Sequence, residues 1–225
     1  ERAAILAYIL DFRYLAIEGP IGVGKTALAQ HLGLRLDAAM VLDETDNPFI
    51  SDLYGGRPGA AFQAQLFSLL ARHRQQSTLR QTDLFSQLTI SDYLFDKDKI
   101  YAYLNLDDNE LFIYQRLYDL LATDIIEPDL VVYLQVPSDL LRRRARSIRQ
   151  HDAEHTLPDD EYLSELNEAY NHFFHHYTAT PLLVVETSQF DLNWGEAAMD
   201  DLIKQLHDMG RGTRHYVQRT GSRSS

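Results

Sequence analysis

Gly19-Pro20-Ile21-Gly22-Val23-Gly24-Lys25-Thr26 has the spacing G-x-x-x-x-G-K-[ST], and each residue type in it has a task in holding phosphate. The glycines let backbone N–H groups turn inward around phosphate oxygens, and the start of the following helix adds its partial positive charge. The Lys25 ammonium can reach the β- and γ-phosphates, and the Thr26 hydroxyl can serve Mg²⁺. These residues are the candidates for binding ATP or another nucleoside triphosphate. A second reactive point is Asp43-Glu44. Glu44 stands 18 residues after Thr26, at the predicted end of the next strand. A carboxylate there can accept the proton of a hydroxyl attacking the γ-phosphate, and Asp43 is the alternative for that role. It would also repel an acceptor that is itself a phosphate. The expected acceptor is therefore a neutral sugar hydroxyl, such as the 5′-OH of a nucleoside.

Further along, Gln63 offers a paired donor and acceptor able to grip a nucleobase edge, with Phe67 and Phe49 as stacking partners. From spacing alone, a polar residue on an amphipathic helix is the better reading of Gln63, and simple packing the better reading of Tyr54. Arg143, Arg146 and Arg149 recur every three residues within a run that also holds Arg142 and Arg144. On a helix they share one side. That side is either a solvated basic face or a lid, about 142–160, that neutralises charge during phosphoryl transfer.

These side chains need strands and helices to position them. Strands are predicted over Arg13 to Glu18, Ala39 to Leu42, within Thr82 to Ser91, over Asp129 to Val136 and over Leu182 to Glu186. Helices are predicted from Ala27, over Ala60 to Gln76, over Asn109 to Thr123 and from near Leu140 with Ser138 or Asp139 as its cap. Two more cover Tyr162 to His176 and Leu192 to Met209. The alternation implies an α/β layered fold with a mostly parallel sheet, whose ligands bind beyond the carboxyl ends of the strands. The glycine-rich loop and Asp43-Glu44 are thus expected to face one cleft.

A chain of 225 residues that is 45% hydrophobic can bury one substantial core. One domain, 13–209, is expected, preceded by a helix or linker over 1–12 and followed by a flexible basic tail over 210–225. The tail carries Arg211, Arg214, Arg219 and Arg223 and no acid. A net charge of −12 argues against a general nucleic-acid binder. No apolar run is long enough to span a bilayer, and no secretory signal is visible. The absence of cysteine fits a cytoplasmic protein. Because the chain starts at Glu1 rather than Met, a trimmed or excised chain is expected.

Taken together, these residues resemble the P-loop deoxynucleoside kinases, the group that contains the deoxycytidine, deoxyadenosine and deoxyguanosine kinases. The resemblance runs from about Tyr14 to Asp191. It rests on Ile17 to Thr26, Glu44 with Asn47-Pro48-Phe49, Asp52-Leu53-Tyr54, Ala61 to Phe67, the arginine run, Leu157-Pro158 to Tyr162-Leu163, and Leu166-Asn167-Glu168-Ala169-Tyr170. It implies a P-loop NTPase-type three-layer fold with about five strands, and a homodimer. It also implies an ATP-dependent, Mg²⁺-requiring transfer to the 5′-OH of a deoxynucleoside, with purines slightly favoured. Glu44 becomes the general base, Gln63 the base reader, Tyr54 and Glu154 the 3′-hydroxyl contacts, and Arg143 and Arg149 lid residues. The family's Glu-Arg-Ser and Asp-Arg pattern is altered to Ile90-Ser91-Asp92-Tyr93-Leu94-Phe95-Asp96-Lys97-Asp98-Lys99. Asp92, shifted by one residue, then takes the metal-side role, and Lys97 or Lys99 the positive charge. Ser147 stands where the family often has Arg. A thymidylate-type nucleoside monophosphate kinase and a non-catalytic nucleotide-binding module are the competing expectations.

Overall fold

The computed structural model describes residues 12–43, 46–81, 88–151, 157–188 and 195–217. In chain order the elements are β1 (Tyr14–Glu18), α1 (Lys25–Leu36), β2 (Ala39–Val41), α2 (Ile50–Tyr54) and α3 (Ala60–Gln81). Next come β3 (Thr89–Ser91), α4 (Lys97–Asn105), α5 (Asp108–Ala122), β4 (Leu130–Gln135) and α6 (Ser138–His151). The chain then runs through α7 (Asp160–His175), β5 (Leu182–Glu186), α8 (Glu196–His207) and β6 (Thr213–Val217).

The strands form one parallel sheet in the order β2-β3-β1-β4-β5-β6. β1 and β4 are apolar along nearly their whole length because both of their faces are covered. One face buries Leu15, Ile17, Val132 and Leu134 against Leu28 and Leu32 of α1 and Leu202, Ile203 and Leu206 of α8. The opposite face buries Ala16, Val131, Tyr133 and Val184 against Ile100 of α4 and Leu166, Tyr170 and Phe174 of α7. A third cluster joins Leu69 of α3 to Tyr114 and Tyr118 of α5. Helix, sheet and helix make the three layers.

The sheet has six strands where about five are expected, and the sixth lies in the segment read as a flexible tail. Thr213–Val217 pairs in parallel with β5, Leu182 opposite Thr213 through Glu186 opposite Val217. Glycines and arginines around it hide the strand in the sequence, since Tyr216 alone of its residues is buried, with its hydroxyl on Asp201 at 2.6 Å. α6 starts at Ser138 rather than near Leu140, so neither Ser138 nor Asp139 is a cap residue. The Ser138 hydroxyl instead accepts from the Asn167 amide at 2.9 Å. Periodicity misses two helices: α2, which is only five residues long, and α4, whose first turn is Lys97-Asp98-Lys99, a charged run that looks like a loop.

Candidate active site at the carboxyl ends of the strands

The glycine-rich loop joins β1 to α1. A Cβ at Gly19 would come within 2.8 Å of the Leu134 carbonyl oxygen and 2.9 Å of Val23, so the close approach of two chain segments requires glycine. Gly24 precedes α1 at φ 102°, a left-handed conformation, and no side chain caps the helix. The first N–H groups of α1 are therefore left pointing into the loop, which is the electrostatic basis of an anion site. Lys25 curls back over the loop, donating to the carbonyls of Gly19 at 2.7 Å and Pro20 at 3.2 Å. Burial pulls its ammonium pKa below the ordinary value, against the favourable fields of Glu18, Asp92 and Asp43.

Glu18, the last residue of β1, is fully buried and ties the loop to the rest of the site. One carboxylate oxygen accepts from the Gly19 N–H at 2.8 Å and the Tyr170 hydroxyl at 3.1 Å, and the other from the Leu94 N–H at 2.8 Å. A buried carboxylate with this many donors is a structural hub. Its place at a strand end beside the loop was the only sequence signal for it.

The Thr26 hydroxyl donates to one oxygen of Asp92, directly after β3. The other Asp92 oxygen accepts from the Asp43 N–H at 2.7 Å. The ends of β1, β2 and β3 are thereby drawn together by short polar links. The Asp43 carboxylate is already occupied. Arg72 of α3 donates to its two oxygens at 3.1 and 3.2 Å, and Lys97 of α4 donates to the second of them. Burial opposes ionisation of Asp43, but the two cations prevail and hold its carboxyl well below the usual carboxylate range. A carboxylate engaged by two cations is a poor proton acceptor. Arg72 also donates to Asp98, whose Oδ1 accepts from Gln65 at 3.1 Å. Neither Arg72 nor Gln65 was singled out in the sequence, because a polar residue on a long helix carries no local mark of its distant partner.

The remaining residues divide. Gln63 is exposed at the start of α3, whereas Gln65, two positions on, is buried. Phe67 is half-exposed and meets Phe49 edge-on, with ring centroids 6.1 Å apart, so these rings pair with each other. Tyr54 packs edge-on against Tyr162 at 5.6 Å, and burial raises its hydroxyl pKa. Asn47 anchors this wall of the cleft by donating to the Ala64 carbonyl at 2.8 Å and to Ser68 at 2.9 Å. Lys99 is directed away from Asp43, onto Asp96 at 2.7 Å and over the Tyr118 ring at 4.3 Å. Glu44 and Glu154 lie outside the described residues.

The arginines of α6 are drawn mainly toward α7. Arg146 and Arg149 both donate to Asp160, and Arg149 also to the Pro158 carbonyl. Arg143 is exposed, 4.0 Å from Asp139 on its own helix. The helix nevertheless lies over the loop, since a Cβ at Gly22 would stand 3.5 Å from Ile148.

A parallel sheet with a glycine-rich loop between β1 and an uncapped α1, and a Thr–carboxylate pair beside it, defines the P-loop NTPase architecture. The comparison with known proteins narrows this. The deoxynucleoside kinase family matches residues 15–209, and the chain belongs to that family. A deoxyadenosine kinase of Dictyostelium discoideum is 30% identical over 188 residues, which is 80% of this chain and 75% of that protein. A deoxyguanosine kinase of Bacillus subtilis (strain 168) is 32% identical over 133 residues, covering 58% of this chain and 64% of the relative's own length. Among solved structures, deoxyadenosine kinase from M. mycoides with products dCMP and a flexible dCDP bound superposes with a TM-score of 0.72. The overlap covers 87% of this chain and 99% of that one at 21% identity, and it shows the shared fold.

Proposed function

We propose that the protein is an ATP-dependent deoxynucleoside kinase that transfers the γ-phosphate to the 5′-OH of a deoxynucleoside. The observation that carries the reading is the convergence of Thr26, Asp92 and the Asp43 backbone beside the uncapped start of α1. It sets a place for phosphate next to the carboxyl end of β2. With Asp43 committed to Arg72 and Lys97, Glu44 remains as the residue to take the proton of the acceptor hydroxyl. Residues Gly19, Pro20, Ile21, Gly22, Val23 and Gly24 wrap the donor phosphates, and Lys25 exchanges its carbonyl partners for phosphate oxygens.

The Thr26 hydroxyl and the Asp92 carboxylate fit Mg²⁺, which takes hard oxygen ligands and completes its shell with phosphate and water. When bound there it would neutralise charge on the transferring phosphoryl group. Among the described residues no cluster of three or more metal-binding side chains exists, in keeping with a metal held largely by its nucleotide. Arg143, Arg146 and Arg149 serve as lid cations, a role supported by the seat of Ile148 over Gly22. Gln63 and Phe67 contact the base, and Tyr54 and Glu154 the sugar. A purine is the favoured base, supported by relatives named for deoxyguanosine and deoxyadenosine. Among the described residues no helix is long and apolar enough to cross a membrane, and the lack of cysteine supports action in the cytoplasm. A homodimer is supported by Phe112, Ile113 and Leu120, which leave an exposed apolar stripe on α5 beside Tyr103.

The test is incubation with Mg-ATP and each common nucleoside, deoxynucleoside and deoxynucleoside monophosphate. A 5′-monophosphate from at least one deoxynucleoside is expected, and Glu44→Gln is expected to lower kcat by about 10²–10⁴-fold with ATP binding intact. Turnover of monophosphates alone would replace this reading with a nucleoside monophosphate kinase. ATP binding without any acceptor phosphorylated would replace it with a regulatory nucleotide-binding module.

A further inference from the structure

β6, the strand hidden in the basic segment, creates a surface that the fold leaves uncovered. Successive strand residues point to opposite faces of a sheet, and residues paired in register share a face. His215 lies opposite Val184, and Thr213 opposite Leu182. Leu182 and Val184 pack on the α7 side of the sheet, so His215 and Thr213 face that side too. Yet Thr213, His215 and Val217 are all exposed, because α7 covers β4 and β5 without reaching β6. An open cavity of about 560 Å³ results between α7 and the last strands, a size at which small molecules bind.

The floor of the cavity is apolar. The buried rings of Tyr133 and Phe174 stack with centroids 4.2 Å apart, and Val184 lies beside them. Its walls are polar, and among the described residues no Asp, Glu, Lys or Arg lines it, in a chain with 33 acidic residues. α7 contributes His172 and His175, one turn apart, and β6 contributes His215 from the other wall. Asn171, half-buried, is the most telling wall residue. Its Oδ1 accepts from the Tyr133 hydroxyl at 3.0 Å and from Gln135 at 2.8 Å. With that oxygen engaged, the amide Nδ2 is turned the other way and has no acceptor among the described residues.

These groups select a class of ligand. Three imidazoles around one cavity would suit a metal, but among the described residues no three His, Cys, Asp or Glu side chains are placed to share one. What they offer instead is hydrogen bonding. An imidazole carries one N–H donor when neutral and two when protonated, a free amide nitrogen has two, and the Thr213 hydroxyl adds another. Donors with no carboxylate beside them attract an oxyanion, and a floor of rings shelters an apolar or planar body from water. We propose that the cavity is a second ligand site that takes a small organic oxyanion, a phosphate monoester or a carboxylate with a planar body, held by Asn171, His172, His175 and His215. No residue lining it belongs to the phosphate loop or to the Thr26, Asp92 and Asp43 cluster, so the site stands apart from the kinase reading.

Phenyl phosphate and benzoate, titrated separately into the full chain, are the probes, and the imidazole proton resonances in NMR spectra are the readout. The resonances of His172, His175 and His215, assigned by single substitutions, are expected to move saturably with at least one probe, while that of His31 on α1 stays. Which probe binds distinguishes phosphate from carboxylate. His172→Ala combined with His215→Ala changes two exposed side chains and is expected to weaken binding about tenfold or more, two hydrogen bonds being lost. Asn171→Asp is the sharper variant. It keeps an oxygen for Tyr133 and Gln135 but turns the free amide nitrogen into a carboxylate oxygen, so saturable binding is expected to vanish while the thermal unfolding midpoint is kept. The proposal is overturned if neither probe moves the three resonances saturably up to about 10 mM, or if Asn171→Asp binds as the wild type does. A shift of His31 in step with the three would mark a general surface effect and overturn it as well.

Discussion

The protein holds two sets of cationic side chains near its phosphate loop, and they differ in almost every physical respect. The α6 set is visible as a run in the sequence, is largely exposed and is paired to the neighbouring helix: Arg143 is 66% exposed and Arg146 61%. The Arg72–Lys97 set comes from two helices and two segments of sequence, is buried, and converges on Asp43 and Asp98. Exposed pairs in high dielectric contribute little and exchange partners easily, as the proposed lid role requires. Buried pairs are costly to break and therefore fix geometry. One set is exposed and weakly held, the other buried and firmly held.

Removing the buried cation should have the largest effect. Arg72→Met strands the Asp98 carboxylate in the interior, leaves Asp43 to Lys97 alone, and is expected to lower stability by about 3–5 kcal/mol in urea denaturation. Arg143→Ala should leave the unfolding midpoint nearly unchanged. Equal effects would erase the distinction.

The pH dependence offers a finer probe. Burial pushes the Asp98 carboxyl up to about 6 from an ordinary 3.8, against the pull of Arg72. Its Oδ2 has no partner among the described residues. Between those two values the native state binds more protons than the unfolded chain, so stability falls as pH rises through the window, by up to about 3 kcal/mol. Asp43 is shifted the other way, so its contribution is present above the ordinary carboxylate value and is lost on acidification below it. Asp98→Asn should flatten the upper window and leave the lower one, as read by thermal unfolding from pH 3 to 8.

The smallest effect is expected at the lid. Arg146→Ala should scarcely alter the unfolding midpoint, since its pairing with Asp160 lies at the surface, yet lower kcat about tenfold by removing one of several lid cations. Added salt should weaken the lid pairs while the Asp43 grip persists. A large loss of stability in Arg146→Ala would place α6 with the rigid part of the molecule instead.

Legibility followed locality. The loop from Gly19 to Thr26, the strands β1, β4 and β5 and the arginine run were readable because their signals are periodic or contiguous. β6 was missed because only Tyr216 of its five residues is buried. α4 was missed because Lys97-Asp98-Lys99 looks solvated, although Lys97 and Asp98 are both buried, the one on Asp43 and the other on Arg72. Arg72 was missed for the same reason.

By itself the sequence determined the donor side of the site, because backbone N–H groups, a lysine and a threonine within eight consecutive residues need only a strand before them and a helix after. It also determined the layered α/β class through alternating periodicities. Tertiary structure alone decided which carboxylate at the end of β2 is engaged, since Arg72 and Lys97 lie 29 and 54 residues from Asp43 along the chain. Partners at that separation leave no imprint on local pattern, and folding selects them by burying charge only where opposite charge meets it.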